Sequence, residues 1–213
     1  MSKDIFVALI DSGCTFETYE KVAVNVKDGK TKIVNQSDVK YRHGDVIGSI
    51  ICSNKNVKLY DIQVFNENLA TTPLHIIKAL EYLKTKKVDV INMSLGLGTN
   101  YKEIEDLCKY FSSKGVSIIS SFPRSGAEFI YPASYEEVIS VTSDGRCDEN
   151  SISCIDSCKS LFGANPLSNT QGVGGSSVAV ARFTKIFCDY LQKGYKKEEI
   201  LSIIKEVNSH ESR

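Results

Sequence analysis

Ile5-Phe6-Val7-Ala8-Leu9-Ile10-Asp11-Ser12-Gly13 is an apolar run that stops abruptly on a carboxylate, a hydroxyl and a glycine. A continuous apolar run this short, closed by turn residues, reads as a strand over 4–10 buried on both faces, the kind found inside a parallel sheet. Working outward, β-branched runs at 58–64, 88–93, 116–120 and 138–142 predict further strands. Helical patterns separate them. Thr72-Pro73-Leu74 has the hydroxyl cap and first-turn proline of a helix start, and Ile76, Ile77, Leu80 and Leu83 follow at helical spacing. A second helix is expected from about 100 to 114, ending at Gly115. A third should start near Ser177, and the tail from Lys197 carries Ile200, Ile203, Ile204 and Val207 on one face. This alternation predicts an α/β fold, a doubly wound and mostly parallel sheet with helices on both faces. Asp28-Gly29, between alternating residues of 22–30, predicts a hairpin beside it. Residues 143–172 show little periodicity and read as a long irregular segment.

Length and composition set the bounds. A chain of 213 residues suits one compact domain over 1–213. Hydrophobic residues make up 42% and charged residues 24%, as in ordinary globular proteins. Lys plus Arg and Asp plus Glu each number 26, so no global charge points to nucleic acid or an anionic membrane as partner. No apolar run approaches the roughly 20 residues of a bilayer helix, and the N-terminal run lacks a cleavage-site pattern. With no secretory signal, the seven cysteines are expected to be mainly reduced thiols in a cytoplasmic protein. Nothing in the sequence fixes the oligomeric state.

Acyl transfer by a hydroxyl needs a nucleophile, a base to take its proton and a group to orient that base. Asp11 lies where the first strand ends, the place where functional side chains collect in open α/β sheets. It is the candidate orienting carboxylate. His43-Gly44-Asp45-Val46-Ile47-Gly48 opens a helical stretch, which makes His43 the candidate base. His75 sits in the helix begun by Pro73, and His210 sits in the tail. Gly172-Val173-Gly174-Gly175-Ser176-Ser177 runs into Val178-Ala179-Val180-Ala181 and presents Ser177 at a helix start. Taken singly, Asp11 reads equally as a turn residue, His43 as a surface histidine and Ser177 as a helix cap.

Together, and in this order, the three segments resemble the Asp, His and Ser motifs of the subtilase family. The family's Gly-Thr-Ser-x-Ala appears as Gly175-Ser176-Ser177-Val178-Ala179, which places the nucleophile at Ser177. Val88 to Gly96 resembles the family's central strand and substrate-binding edge. Tyr131 to Val141 resembles a later wall of the cleft. The resemblance runs from about residue 4 to 190. It implies a serine endopeptidase with a peptide or protein substrate and no cofactor or metal, acting through an acyl-enzyme on an Asp11/His43/Ser177 triad. Substrate would pair along Ser94, Leu95 and Gly96, continuing to residue 98, with Ser120, Ser121 and Phe122 at the P1 pocket.

Two departures qualify the resemblance. Arg124 stands where the family places its oxyanion Asn; its guanidinium either folds back as the second donor or points into solvent and leaves that donor missing. No Asp-rich calcium loop is visible, and the early first strand suggests a minimal peptidase folding without an attached propeptide. Cys147, Cys154 and Cys158 lack the paired CxxC spacing of zinc sites. The biological role that fits is limited cleavage, such as removal of a leader peptide. The alternative is a catalytically silent subtilase-fold protein whose cleft only holds peptide. A third reading, Gly172 to Ser177 as a phosphate loop, lacks the following Lys and the preceding strand.

Overall fold

The computed structural model describes residues 3–36, 38–65, 69–124 and 129–209, the last three by backbone alone. Strand β1 (Ile5–Asp11) lies near the middle of the sheet because its side chains are apolar on both faces; five of its seven residues are buried apolar ones. It pairs in parallel with β4 (Val57–Gln63) on one side and β5 (Val90–Met93) on the other. Beyond β5 follow β6 (Ser117–Ser121) and β7 (Val138–Ser143), also parallel. Two hairpins finish the edges. One is β2 (Glu20–Lys27) with β3 (Lys30–Val34), joined by the expected Asp28-Gly29 turn with both residues at positive φ, 51° and 71°. The other is β8 (Ile152–Asp156) with β9 (Leu161–Ala164), β9 lying parallel to β7. Among the described residues the nine strands form one sheet in the order β3-β2-β4-β1-β5-β6-β7-β9-β8.

Helices cover both faces, as the alternation predicts. On one face α1 (His43–Cys52), α4 (Ser176–Gln192) and α5 (Lys197–Ser209) close a core around Leu9, Ile47, Phe162, Phe183 and Phe187. On the other, α2 (Pro73–Leu83) and α3 (Lys102–Ser113) pack Ile76, Leu80, Ile104 and Phe111 against Ala8, Ile10 and Ile91. α2 begins at Thr72, whose backbone N–H donates to His75 Nδ1 at 3.3 Å, so His75 serves as a helix cap. α3 ends before Gly115, at φ 80°.

The segment 143–172 departs from expectation, since it contains the β8–β9 hairpin. Its strands are short, and Ser153 and Asp156 interrupt the apolar pattern, so periodicity alone hides them. α4 starts at Ser176, one residue earlier than expected. Among the described residues no helix is long and apolar enough to cross a membrane. All seven cysteines, including Cys147, Cys154 and Cys158, are free thiols.

Candidate active site

Asp11, the last residue of β1, is completely buried. Its Oδ1 accepts the Ser12 backbone N–H at 2.7 Å and meets His43 Nδ1 at 2.7 Å. Its Oδ2 is buried with no partner among the described residues. With the Nδ1–H of His43 donating to Oδ1, the Nε2 lone pair is left free. Burial pulls the His43 pKa down; the hydrogen bond and charge of Asp11 push it up and prevail, leaving it raised.

The two motifs are stitched together by their neighbours. Ser12 Oγ accepts the Gly44 N–H at 3.0 Å, and Cys14 Sγ donates to the Gly44 carbonyl at 3.3 Å. Asp45 Oδ1 accepts the Thr15 N–H at 2.6 Å and its hydroxyl at 2.9 Å. Gly44 has no substitute, because a Cβ there would stand 2.3 Å from the Gly13 carbonyl oxygen. The start of α1 thus rests directly on the turn after β1, which brings His43 onto Asp11.

Beneath that turn lies another completely buried carboxylate, Asp61 of β4, which the sequence does not single out. Its Oδ2 accepts the Cys14 N–H at 2.8 Å and Gln36 Nε2 at 2.6 Å. Burial raises its pKa to about 6. A carboxyl inside the apolar stretch Leu59-Tyr60-Asp61-Ile62 was the available signal.

Ser177 is the second residue of α4, after Gly175 at φ 74°. The two adjacent serines point to different partners. Ser176 Oγ meets Ser143 Oγ at 3.4 Å, whereas Ser94 Oγ donates to the Ser177 carbonyl at 3.5 Å. That contact ends a buried chain in which Thr184 Oγ1 donates to Asn92 Oδ1 at 2.8 Å and Asn92 Nδ2 donates to Ser94 Oγ at 3.2 Å. Thr184 is a further residue that sequence reading missed; its signal is a hydroxyl on the apolar face of α4. The far ends of α1 and α4 are tied by Asn54 Nδ2 to Asp189 Oδ1 at 2.6 Å. The structure brings Asp11 and His43 into contact; the Ser177 hydroxyl makes no hydrogen bond to His43 among the described residues.

Along the expected substrate edge the backbone alternates. Leu95 O accepts Ser121 Oγ at 3.3 Å, and Leu97 exchanges two hydrogen bonds with Tyr131, at 2.7 and 2.9 Å. Leu97 is therefore committed within the protein, while Ser94 and Gly96 lie between committed positions. Ser120 is fully buried with its hydroxyl on the Met93 carbonyl at 3.1 Å, so it lies beneath the surface expected to line the P1 pocket. Ser121 and Phe122 are half-buried. Arg124 is exposed in the turn that follows. Among the described residues no group of three or more His, Cys, Asp or Glu gathers as a metal site.

Comparison with known proteins yields one family: the model described as the Subtilase family matches residues 2–193. The chain is 27% identical over 164 residues to the major intracellular serine protease of Bacillus subtilis (strain 168), covering 66% of this chain and 51% of that protein. The chain thus spans about half the length of that relative. A cold-adapted subtilisin-like serine proteinase superposes with a TM-score of 0.70 at 19% identity, over 97% of this chain and 82% of the other. The prenylagaramide maturation protease PagA superposes at 0.64 with 18% identity, over 90% and 78%.

Proposed function

Because the chain belongs to the subtilase family, we propose that it is a serine endopeptidase in which Ser177 attacks the scissile carbonyl, His43 acts as base and Asp11 orients it. The observation that carries this reading is the 2.7 Å Asp11–His43 contact, which leaves Nε2 as proton acceptor at the end of the sheet where α4 begins. Substrate lies extended along Ser94 and Gly96, which alternate with Leu95 and Leu97, the positions already engaged within the protein. His43 takes the Ser177 proton as the Oγ–C bond forms, then gives it to the leaving amine as the peptide C–N bond breaks. Water, deprotonated by the same imidazole, releases the acyl group and restores Ser177.

The oxyanion is met by the Ser177 N–H, one of the first-turn amides that have no intrahelical acceptor, in the positive field of the α4 N-terminus. Arg124, exposed, favours the reading in which it is no second donor. That exposure is also what favours the silent, peptide-holding alternative. One domain over 1–213, a cytoplasmic location and a role in limited cleavage such as leader removal complete the proposal. The intracellular protease and the maturation protease among its relatives support the last two.

The test is hydrolysis of a denatured protein substrate, with products read by mass spectrometry. Cleavage that disappears in Ser177→Ala supports the peptidase. Cleavage that survives in Ser177→Ala, or none by the unaltered chain, overturns it.

A further inference from the structure

α1 and α4 both begin at the candidate site and run away from it on the same face of the sheet. Between them is a hollow of about 340 Å³, bordered by Val46 and Ser49 of α1, Arg182 and Lys185 of α4, and Glu149 and Thr170 from adjoining loops. It begins about one helical turn beyond His43.

Arg182 is the unusual part of its wall. The side chain is only 11% exposed, and Nη2 donates to Glu149 Oε1 at 2.9 Å and to the Leu167 carbonyl at 2.9 Å. Its Nε is buried with no partner among the described residues. A guanidinium removed from water is tolerated when anions and acceptors match its fork, and this one has donor capacity left over. Glu149 is 68% exposed, so the carboxylate now on Arg182 is held from the solvent side and can be exchanged. Lys185 adds a second cation, with loose partners at 3.3 Å (Asn150 Oδ1) and 3.9 Å (Asp189 Oδ2).

We propose that this hollow is a carboxylate subsite for an acidic side chain in the part of a peptide substrate beyond the scissile bond. The proposal rests on the peptidase reading for its direction. Ser94 to Gly96 leads from β5 to α3, which packs on the face opposite α1 and α4. A peptide entering along that edge and crossing Ser177 therefore leaves on the α1 and α4 side. Arg182 is five residues beyond Ser177, about 7.5 Å along the axis at 1.5 Å per residue. Extended chain covers roughly 3.3 Å per residue, which places the acidic residue about two to four positions after the cleaved bond. Its carboxylate replaces Glu149 on Arg182, one anion for another, and gains Lys185.

The test uses two fluorescently labelled decapeptides, identical in the N-terminal half and carrying consecutive Glu or consecutive Gln in the C-terminal half. Binding is read by anisotropy on the Ser177→Ala chain, where nothing is turned over. The Glu peptide should bind roughly tenfold more tightly. Glu149→Gln in the same background should widen the gap, and Arg182→Met should close it. Since Arg182 is buried and its replacement can disturb folding, the exposed Glu149 carries the test independently. Equal binding of both peptides, with and without Glu149→Gln, overturns the subsite, as does mass-spectrometric mapping that puts the favoured Glu before the cut. Treating the unaltered chain with the same peptides separates the two claims. Glu-selective binding without cleavage sinks the peptidase and keeps the anion site; cleavage with equal binding does the reverse.

Discussion

Asp11 and Arg124 follow parallel strands at the same end of one sheet, yet the first is completely buried and the second exposed. Asp11 sits at the end of a strand flanked on both sides, and the helix start that carries His43 rests on the very next residues. Arg124 lies three residues past the end of β6, where the chain has left the sheet. The proposed base His43 and its partner Asp11 are fixed by packing of regular elements. The opposite wall is fixed by its backbone, through Leu97–Tyr131 and Phe122 N–H to the Val141 carbonyl at 2.8 Å, while Arg124 at its end is exposed. Proton transfer should therefore be sensitive to single atoms on one side of the cleft and tolerant on the other.

The sharpest way to break that contrast is Asp11→Asn. Turnover should fall on the order of 10⁴-fold, because the amide no longer holds the imidazole in the tautomer that leaves Nε2 basic. His43 must be neutral to act as base, and its raised pKa depends on Asp11 against the opposing effect of burial. Removing that charge lowers the pKa, so the acid limb of the kcat/KM profile should move to lower pH. A limb that stays in place would show that Asp11 does not set the base.

An intermediate effect belongs to Thr184→Val, which preserves shape but leaves Asn92 Oδ1 buried and unpaired. A stability loss of roughly 1–3 kcal/mol by denaturant titration is expected, with kcat down several-fold and KM nearly unchanged. Thr184→Ser should restore both. A change in KM alone would make Asn92 and Thr184 part of the peptide edge and not positioning residues for α4.

The smallest effect should come from Arg124→Ala, with kcat within about threefold of the parent. Loss of a true oxyanion donor costs about 10²–10³. A fall of that size would place the guanidinium over the scissile carbonyl and erase the contrast.

The same division explains what the sequence could disclose. β1 is legible because burial on both faces forces a continuous apolar run, and the candidate carboxylate Asp11 sits where that run stops. Asp11 is singled out by that rule and His43 by the helix start after a polar loop, and their contact follows from Gly44 having to lie on Gly13. The β8–β9 hairpin escapes it, since β9 is only four residues long and the edge strand β8 needs no apolar run. Asp61 and Thr184 escape it too, because a lone polar residue inside an apolar element shows a partner is needed without saying which. Ser120 belongs to the segment expected to line the P1 pocket, yet strand alternation turns its hydroxyl inward to the Met93 carbonyl. The side chain of Arg124 depends on a turn, where periodicity carries no information.

The most direct measurement is labelling of the intact chain with a fluorophosphonate, followed by peptide mapping. The account predicts phosphonylation at Ser177 alone, slowed by orders of magnitude in His43→Ala. Label on Ser176, or undiminished labelling in His43→Ala, would contradict it.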